Sequence, residues 1–212
     1  MRKTLWIVVT GLDGSGKTSL VTNLTNWLTE TKKLAVKRDR FPHDRYLVST
    51  LLNKSVDPYT DRLLFALDNR LFGTELKTII SSGEYDVVIT QRGFLDSFVH
   101  GSVQGYSYSW IAELNRIADL PRCDVMIHMV CEAQTAYSRI SNDPDADKFE
   151  YPAYMDIQER ETRRAYAAVE SGTDSNLEHF CIAKNIYIDT TQMSINEVFE
   201  LAKSKLESLN IL

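Results

Sequence analysis

Gly11, four further residues, then Gly16-Lys17-Thr18 constrain this chain more than any other stretch of it. The spacing matches the phosphate-binding loop G-x-x-x-x-G-K-[ST], in which glycines let the backbone approach an anion that side chains would keep away. Leu5-Trp6-Ile7-Val8-Val9 in front of it reads as a buried parallel strand, and Lys17, Leu20, Leu24 and Leu28 behind it recur at helical spacing. Strand, glycine loop and helix in that order aim backbone N–H groups and a positive helix end at a phosphate chain. The candidate donor-binding residues are therefore Gly11, Gly14, Ser15, Gly16, Lys17, Thr18 and Ser19. Lys17 is expected to reach the terminal phosphates as a point charge, and the Thr18 hydroxyl to complete the shell of a magnesium ion. The implied ligand is a nucleoside triphosphate.

A length of 212 residues, 43% of them apolar and 25% charged, fits one domain over 1–212 with a core large enough for three layers. The net charge of −5 leaves no basic footprint for a nucleic-acid polymer. Cys123, Cys131 and Cys181 have neither metal-ligand spacing nor a C-x-x-C pair and read as reduced thiols in a cytoplasmic setting. The first apolar run is too short for a signal-peptide core, and no segment approaches the ~20 apolar residues that cross a bilayer. None of the four histidines has catalytic or metal spacing, and His128, inside an apolar strand, reads as a satisfied core residue.

Along the chain, strands are predicted at 34–38, 85–90, 123–130 and 185–189, alternating with helices at 46–52, 58–81, 132–139, 154–170 and 194–209. Pro58 suits the first turn of the long helix and Gly83 its end, with an apolar stripe assigned to Leu64, Leu67, Leu71 and Ile79 or Ile80. The alternation implies an α/β fold, a five-stranded parallel sheet flanked by helices. Arg40 to Arg45 and Gln91-Arg92-Gly93 fall where strands end, the edge at which open α/β sheets bind ligands. Residues from about 140 to 150, polar and proline-containing, read as a short mobile lid.

These pieces, in this order, resemble the thymidylate kinase family of P-loop nucleoside monophosphate kinases over nearly the whole chain. The likeness rests on Gly-Leu-Asp-Gly-Ser-Gly-Lys-Thr at 11–18, Arg40-Phe41-Pro42 followed by Arg45, and Leu63-Leu64-Phe65-Ala66 followed by Arg70. It also rests on Asp147-Lys148-Phe149-Glu150, with Arg163 and Tyr166 downstream, and on Ile188-Asp189-Thr190-Thr191. The resemblance implies that Arg45 and Arg92 hold an acceptor monophosphate, that Asp13 accepts a hydrogen bond from the sugar 3′-hydroxyl and that Phe65 stacks on the base. It adds Phe41, Asn69, Arg70 and Gln104 to the acceptor set, and Arg139 and Lys148, flanking the lid, to Lys17 and Arg92 as catalytic cations. It further implies a homodimer with small nucleotides as its other partners.

The chain departs from the family's pattern in places that bear on specificity. Gln91 and Gly93 flank Arg92 where the family has an aspartate and an aromatic residue, so a dipole replaces a charge near the metal and Phe94 is the nearest aromatic able to crowd a ribose 2′-hydroxyl. The family's base-reading arginine falls four residues after the phenylalanine, and here that position is Asn69. At 100° per residue, Asn69 lies ~40° and Arg70 ~140° round the helix from Phe65. Either the helix is distorted there or Asn69 faces the base. The expected activity is ATP- and Mg2+-dependent phosphorylation of a deoxynucleoside monophosphate, dTMP foremost. Its alternatives are another monophosphate such as dUMP or dGMP, and a nucleotide-binding module with little transferase activity.

Overall fold

β1, Leu5–Gly11, is the central strand of a five-stranded sheet, and its alternating side chains divide the molecule into two cores. In the computed structural model, which describes residues 4–44, 50–51, 54, 57–116, 121–141, 151–181 and 183–211, it is joined by β2 (Val36–Arg40), β3 (Val87–Gln91), β4 (Val125–Val130) and β5 (Lys184–Asp189). The order is β2-β3-β1-β4-β5 and every pairing is parallel. Eight α-helices lie among the described residues: α1 (Lys17–Asn26), α2 (Pro58–Ser82), α3 (Phe94–Val103), α4 (Tyr108–Arg116), α5 (Ala133–Ile140), α6 (Pro152–Ser171), α7 (Glu178–Cys181) and α8 (Ile195–Ser208). Trp6 and Val8 of β1 pack with Phe72, Leu76, Phe94, Phe98 and Tyr166 from α2, α3 and α6. Ile7 and Val9 face the other way, onto Leu20 and Leu24 of α1 and Val198, Ala202 and Leu206 of α8. Parallel strands covered on both faces read as near-continuous apolar runs, and β1 and β3 do, interrupted only by buried Thr10, Thr90 and Gln91 at their ends.

The predicted architecture is the one found, with two corrections. β2 runs two residues beyond its expected end, so Arg40 is a strand residue paired with Gln91 rather than part of the loop. The stripe assigned to the long helix holds at its C-terminal end, where Ile79 and Ile80 pack against the core, but not at Leu67 and Leu71. Asp57 caps α2 by accepting from Thr60 N at 2.8 Å and Gly83 ends it at φ 65°, as Pro58 and Gly83 predicted, but Leu67 and Leu71 are exposed. Its buried face consists of Ala66, Phe72 and Leu76 interleaved with polar Asp61, Arg62, Asp68 and Asn69. Hydrophobicity alone selects the leucines, whereas Asp61, Asp68 and Asn69 are buried because they meet partners on neighbouring elements. The helix predicted at 46–52 lies almost wholly outside the described residues, as does the lid apart from Ile140 and Ser141.

His128 is fully buried in β4, but it is only half satisfied. Its Nε2 is 2.6 Å from Asn185 Oδ1, while Nδ1 has no hydrogen-bond partner. Burial pushes its pKa from the ordinary 6.5 down to about 4. Below pH 6.5 the unfolded chain takes up a proton that the folded one refuses, so stability falls as pH drops from 6.5 toward 4. Between pH 7 and 4.5 the loss attributable to His128 is expected to be about 2–3 kcal/mol. Urea unfolding of the wild type and His128→Leu at both pH values measures it; equal acid losses in the two proteins would remove this residue as the cause.

Candidate active site

Register places the loop residues. Val9 pairs with Gln91, Arg40 with Gln91 and Gly11 with Met129, so β1, β2, β3 and β4 end along one edge. Their exits carry Asp13, Phe41 and Arg92 into one region, as expected where a parallel sheet binds its ligand. Gly14 is obligatory here: its φ is 80°, and a Cβ on it would lie 2.2 Å from the Ala136 carbonyl oxygen of α5. From the same helix, Arg139 donates to the carbonyls of Gly14 at 3.3 Å and Thr190 at 2.9 Å. Thr190 Oγ1 donates to Ser15 O at 3.0 Å. The glycine loop is thus clamped from the ends of α5 and β5.

Lys17, only 3% exposed, turns its ammonium back into the loop and donates to Gly11 O and Leu12 O, both at 2.8 Å, and to Asp13 Oδ1 at 3.1 Å. Arg92 donates to the same Oδ1 and, at 3.4 Å, to the Phe41 carbonyl. Burial opposes the charge on Asp13, but Arg92 and Lys17 together hold its carboxyl well below the usual carboxylate range. Burial likewise lowers the Lys17 pKa, and Asp13 counters it. One carboxylate oxygen therefore ties the cation of the phosphate loop to the cation at the tip of β3.

Arg92 owes its direction to a left-handed backbone, φ 65°. Its own N–H donates to Val9 O at 2.7 Å. The buried Asp96 accepts from Gly93 N and from Thr10 Oγ1, both at 2.8 Å, and so pins the turn to β1. Burial raises the Asp96 pKa. A Cβ at Gly93 would meet Val8 Cγ1 at 2.8 Å, which accounts for the missing aromatic neighbour. Phe94 does not take its place: it is core, against Trp6 and Phe41 at 5.7 and 5.1 Å. Asp96 was not singled out in the sequence, although an acidic residue in the first turn of a helix is a readable N-terminal signal, and Thr190 figured there only within the 188–191 motif, with no role.

The donor set suits a hard cation. Thr18, exposed in the first turn of α1, donates its hydroxyl to Gln91 Oε1 at 3.2 Å and keeps its lone pairs for a ligand, an all-oxygen arrangement of the kind Mg2+ takes. Among the described residues the one grouping of three possible metal ligands is Asp39, His43 and Glu75. It satisfies itself, His43 meeting Asp39 at 3.2 Å and Glu75 at 2.8 Å, with Lys37 3.2 Å from Glu75.

Of the residues expected to hold the acceptor, Phe65 is half-buried with the Arg62 guanidinium over its ring, 4.7 Å from the centroid. α2 is unbroken through Asn69, so the helix is not distorted there. Asn69 is buried, and its amide donates to Ser97 Oγ at 3.1 Å and Asn115 Oδ1 at 2.7 Å. Arg70 is exposed. The Phe41 ring packs on Phe72 at 4.5 Å, so only its carbonyl turns to Arg92. Asp68 accepts from the N–H groups of His43 and Asp44, both at 2.8 Å, fixing the segment that leads to Arg45. Gln104 Nε2 donates to Asp61 Oδ2 at 3.3 Å. Arg45 and Lys148 lie outside the described residues. Ser19 lies half-buried in the first turn of α1.

A parallel sheet whose central strand runs through a clamped glycine loop into a helix, with an arginine at the neighbouring strand tip, is the P-loop kinase fold. A sequence profile described as thymidylate kinase matches residues 9–193. The chain is 28% identical over 169 residues to a probable thymidylate kinase of Pyrobaculum aerophilum, covering 77% of this chain and 81% of that one. It is 32% identical over 139 residues to probable thymidylate kinase 1 of Saccharolobus solfataricus (65% and 70% covered), and 30% over 161 residues to a probable thymidylate kinase of Methanothermobacter thermautotrophicus (71% and 75%). The chain belongs to the thymidylate kinase family and is a nucleoside monophosphate kinase. Among its described residues no helix is long and apolar enough to cross a membrane.

Proposed function

We propose that the chain acts as one catalytic domain that moves the γ-phosphoryl group of ATP onto dTMP, with Mg2+, by direct in-line transfer. The observation that carries this reading is the Asp13 carboxylate held between Lys17 and Arg92. A protein that only sensed ATP has no use for a second cation beside the loop lysine, whereas two polyanionic nucleotides meeting end to end need both. Lys17 leaves its loop carbonyls for the donor phosphates, and Arg92, with Arg45, grips the acceptor phosphate. Both cations meet Asp13 at Oδ1, leaving Oδ2 to accept the sugar 3′-hydroxyl. Phe65 stacks on the base. Thr18 would hold the Mg2+, oriented by Gln91, and the ion supplies charge neutralisation and alignment of the phosphate chain. Arg139 clamps the donor loop, and Lys148 brings positive charge from the lid.

ADP release with ATP and Mg2+, each common ribo- and deoxynucleoside monophosphate being offered in turn, tests this. Turnover highest with dTMP is expected; turnover with another monophosphate alone moves the specificity, and binding without turnover overturns the transferase reading.

The same reading includes a cytoplasmic homodimer. Tyr59, Leu63, Leu67 and Leu71, each 41–50% exposed, follow one another at four-residue intervals along the outer side of α2. An exposed apolar row of this kind suits a two-fold contact with its own copy. Leu67→Glu with Leu71→Glu is expected to halve the mass seen in sedimentation equilibrium; an unchanged mass would move the contact elsewhere.

A further inference from the structure

Arg92 aims its guanidinium from a left-handed backbone, φ 65°, which a residue with a Cβ keeps only where its surroundings hold it there. The side chain does not supply that hold throughout a reaction. Its partners here are Asp13 and the Phe41 carbonyl, and on the acceptor-site reading a phosphate draws the guanidinium away from them. The backbone anchors remain. Arg92 N–H donates to Val9 O at 2.7 Å, and the next N–H along, that of Gly93, donates to Asp96 Oδ2 at 2.8 Å. Asp96 answers with its own N–H, which donates to Gly93 O at 3.1 Å.

The same carboxylate oxygen reaches the donor side. Oδ2 also accepts from Thr10 Oγ1 at 2.8 Å, and Thr10 stands in β1 directly before Gly11, where the phosphate loop begins. One atom is therefore tied both to the residue after the acceptor cation and to the residue before the donor loop. Tyr166 of α6 donates its hydroxyl to Thr10 Oγ1 at 3.5 Å, so Thr10 accepts on one side and gives its proton to Asp96 on the other. Thr10, Asp96 and Tyr166 are 1%, 9% and 3% exposed, which keeps water from competing for these bonds.

A buried carboxylate is a costly acceptor unless it is hydrogen-bonded and faced by cations. Burial opposes the charge on Asp96, while the Gly93 N–H, Lys17, the Thr10 hydroxyl and Arg92 support it. Burial likewise opposes the charge on Lys17, and Asp13 and Asp96 both counter it. β3 ends in the uncharged Gln91, so Asp13 and Asp96 are the carboxylates that balance Lys17 and Arg92. Of the two, Asp13 lies at the cations themselves, and Asp96 lies behind them in the turn.

Resting on the acceptor-site reading above, and deepening it, we infer that Asp96 is a positioning residue for phosphoryl transfer. It fixes the Arg92 turn relative to the phosphate loop while the guanidinium changes partners, and it acts through Gly93 and Thr10 rather than on either nucleotide. Transfer between two bound polyanions depends on such alignment, and a misplacement of about 1 Å costs on the order of 10²-fold.

Steady-state kinetics test this on the full chain, with ATP and the monophosphate that wild type turns over fastest, and with melting transitions alongside. Asp96→Ala is expected to lower kcat/KM for the acceptor about 10²-fold, through both constants, while KM for ATP stays within about threefold of wild type. Asp96→Asn keeps an oxygen where Oδ2 stands, able to accept from both donors, and is expected to recover activity to within about tenfold of wild type. Thr10→Val preserves shape and leaves α3 unaltered. It is expected to lower the acceptor kcat/KM about 3- to 10-fold, the worth of one hydrogen bond, again sparing ATP, and it decides the matter if Asp96→Ala does not fold. On an Arg92→Gly background no guanidinium is left to aim, so adding Asp96→Ala is expected to cost less than about threefold in transfer.

Acceptor kcat/KM of Asp96→Ala within threefold of wild type, an equal rise in both KM values, Asp96→Asn no better than Asp96→Ala, or the same loss with and without Arg92 would each overturn the proposal and leave the acceptor site standing. So would wild-type kinetics in Thr10→Val. Transfer by Arg92→Gly at the wild-type rate, or a wild type that turns over no monophosphate, takes the acceptor-site reading down as well.

Discussion

Lys17→Ala is expected to lower the rate of phosphoryl transfer by about 10³-fold or more while the protein stays folded, since positioned cations of this kind carry that much of the transition-state charge. The buried ammonium is held by two loop carbonyls and Asp13 rather than by core packing, so its removal leaves both hydrophobic cores intact. Burial already lowers its pKa, a sign that the folded chain tolerates this charge rather than gaining much from it. The effect therefore falls on kcat, not on stability: ADP release drops to near background while far-UV circular dichroism and the melting transition persist. Lys17→Arg is expected to recover little, because a planar fork replaces a compact point charge in a loop shaped by glycine backbone. Activity of Lys17→Ala within tenfold of wild type would remove the lysine from the chemistry.

The parts of this molecule that were legible in the sequence are those whose signal is local. β1 with its glycine loop, Pro58 and Gly83 at the ends of α2, and Arg92 at a strand tip each announce themselves within a few residues. What escaped depends on pairs distant in the chain. Leu67 and Leu71 look like core because leucine usually is, yet α2 turns inward the side that can pair Asn69 with Ser97 and Asn115, and Asp68 with the backbone of His43 and Asp44. Periodicity counts apolar residues and is blind to a buried polar face. Arg62 escaped for the same reason: on a helix, arginine reads as solvent-facing until its neighbours are known. Asp96, which holds Gly93 and reaches Thr10 86 residues away, and Arg139, tying α5 to the phosphate loop across 125, could not be assigned these tasks without the fold.

Arg92 carries the other large effect, and its backbone allows the charge to be separated from the turn. With φ at 65° the residue already bears the cost of a left-handed conformation, about 1–2 kcal/mol for a side chain with a Cβ. Arg92→Ala keeps that cost and loses the guanidinium; Arg92→Gly loses both. The glycine variant gives back the strain but gains freedom in the unfolded chain, so its stability is expected to stay within about 1 kcal/mol of wild type. Phosphoryl transfer nonetheless falls by about 10³-fold in both variants, because the cation at the acceptor end is gone in each. The loss is expected in acceptor KM as well as in kcat, since in its proposed role the group grips the ground-state phosphate and the transferring one alike. Asp13 reports on the same change from the other side. With Arg92 absent its carboxyl keeps Lys17 alone, and Asp13→Asn made on top of Arg92→Gly costs much less than Asp13→Asn made in the wild type. Full additivity in that double-mutant cycle, or transfer by Arg92→Gly within tenfold of wild type, would mean that the contact between Asp13 and Arg92 is incidental to catalysis.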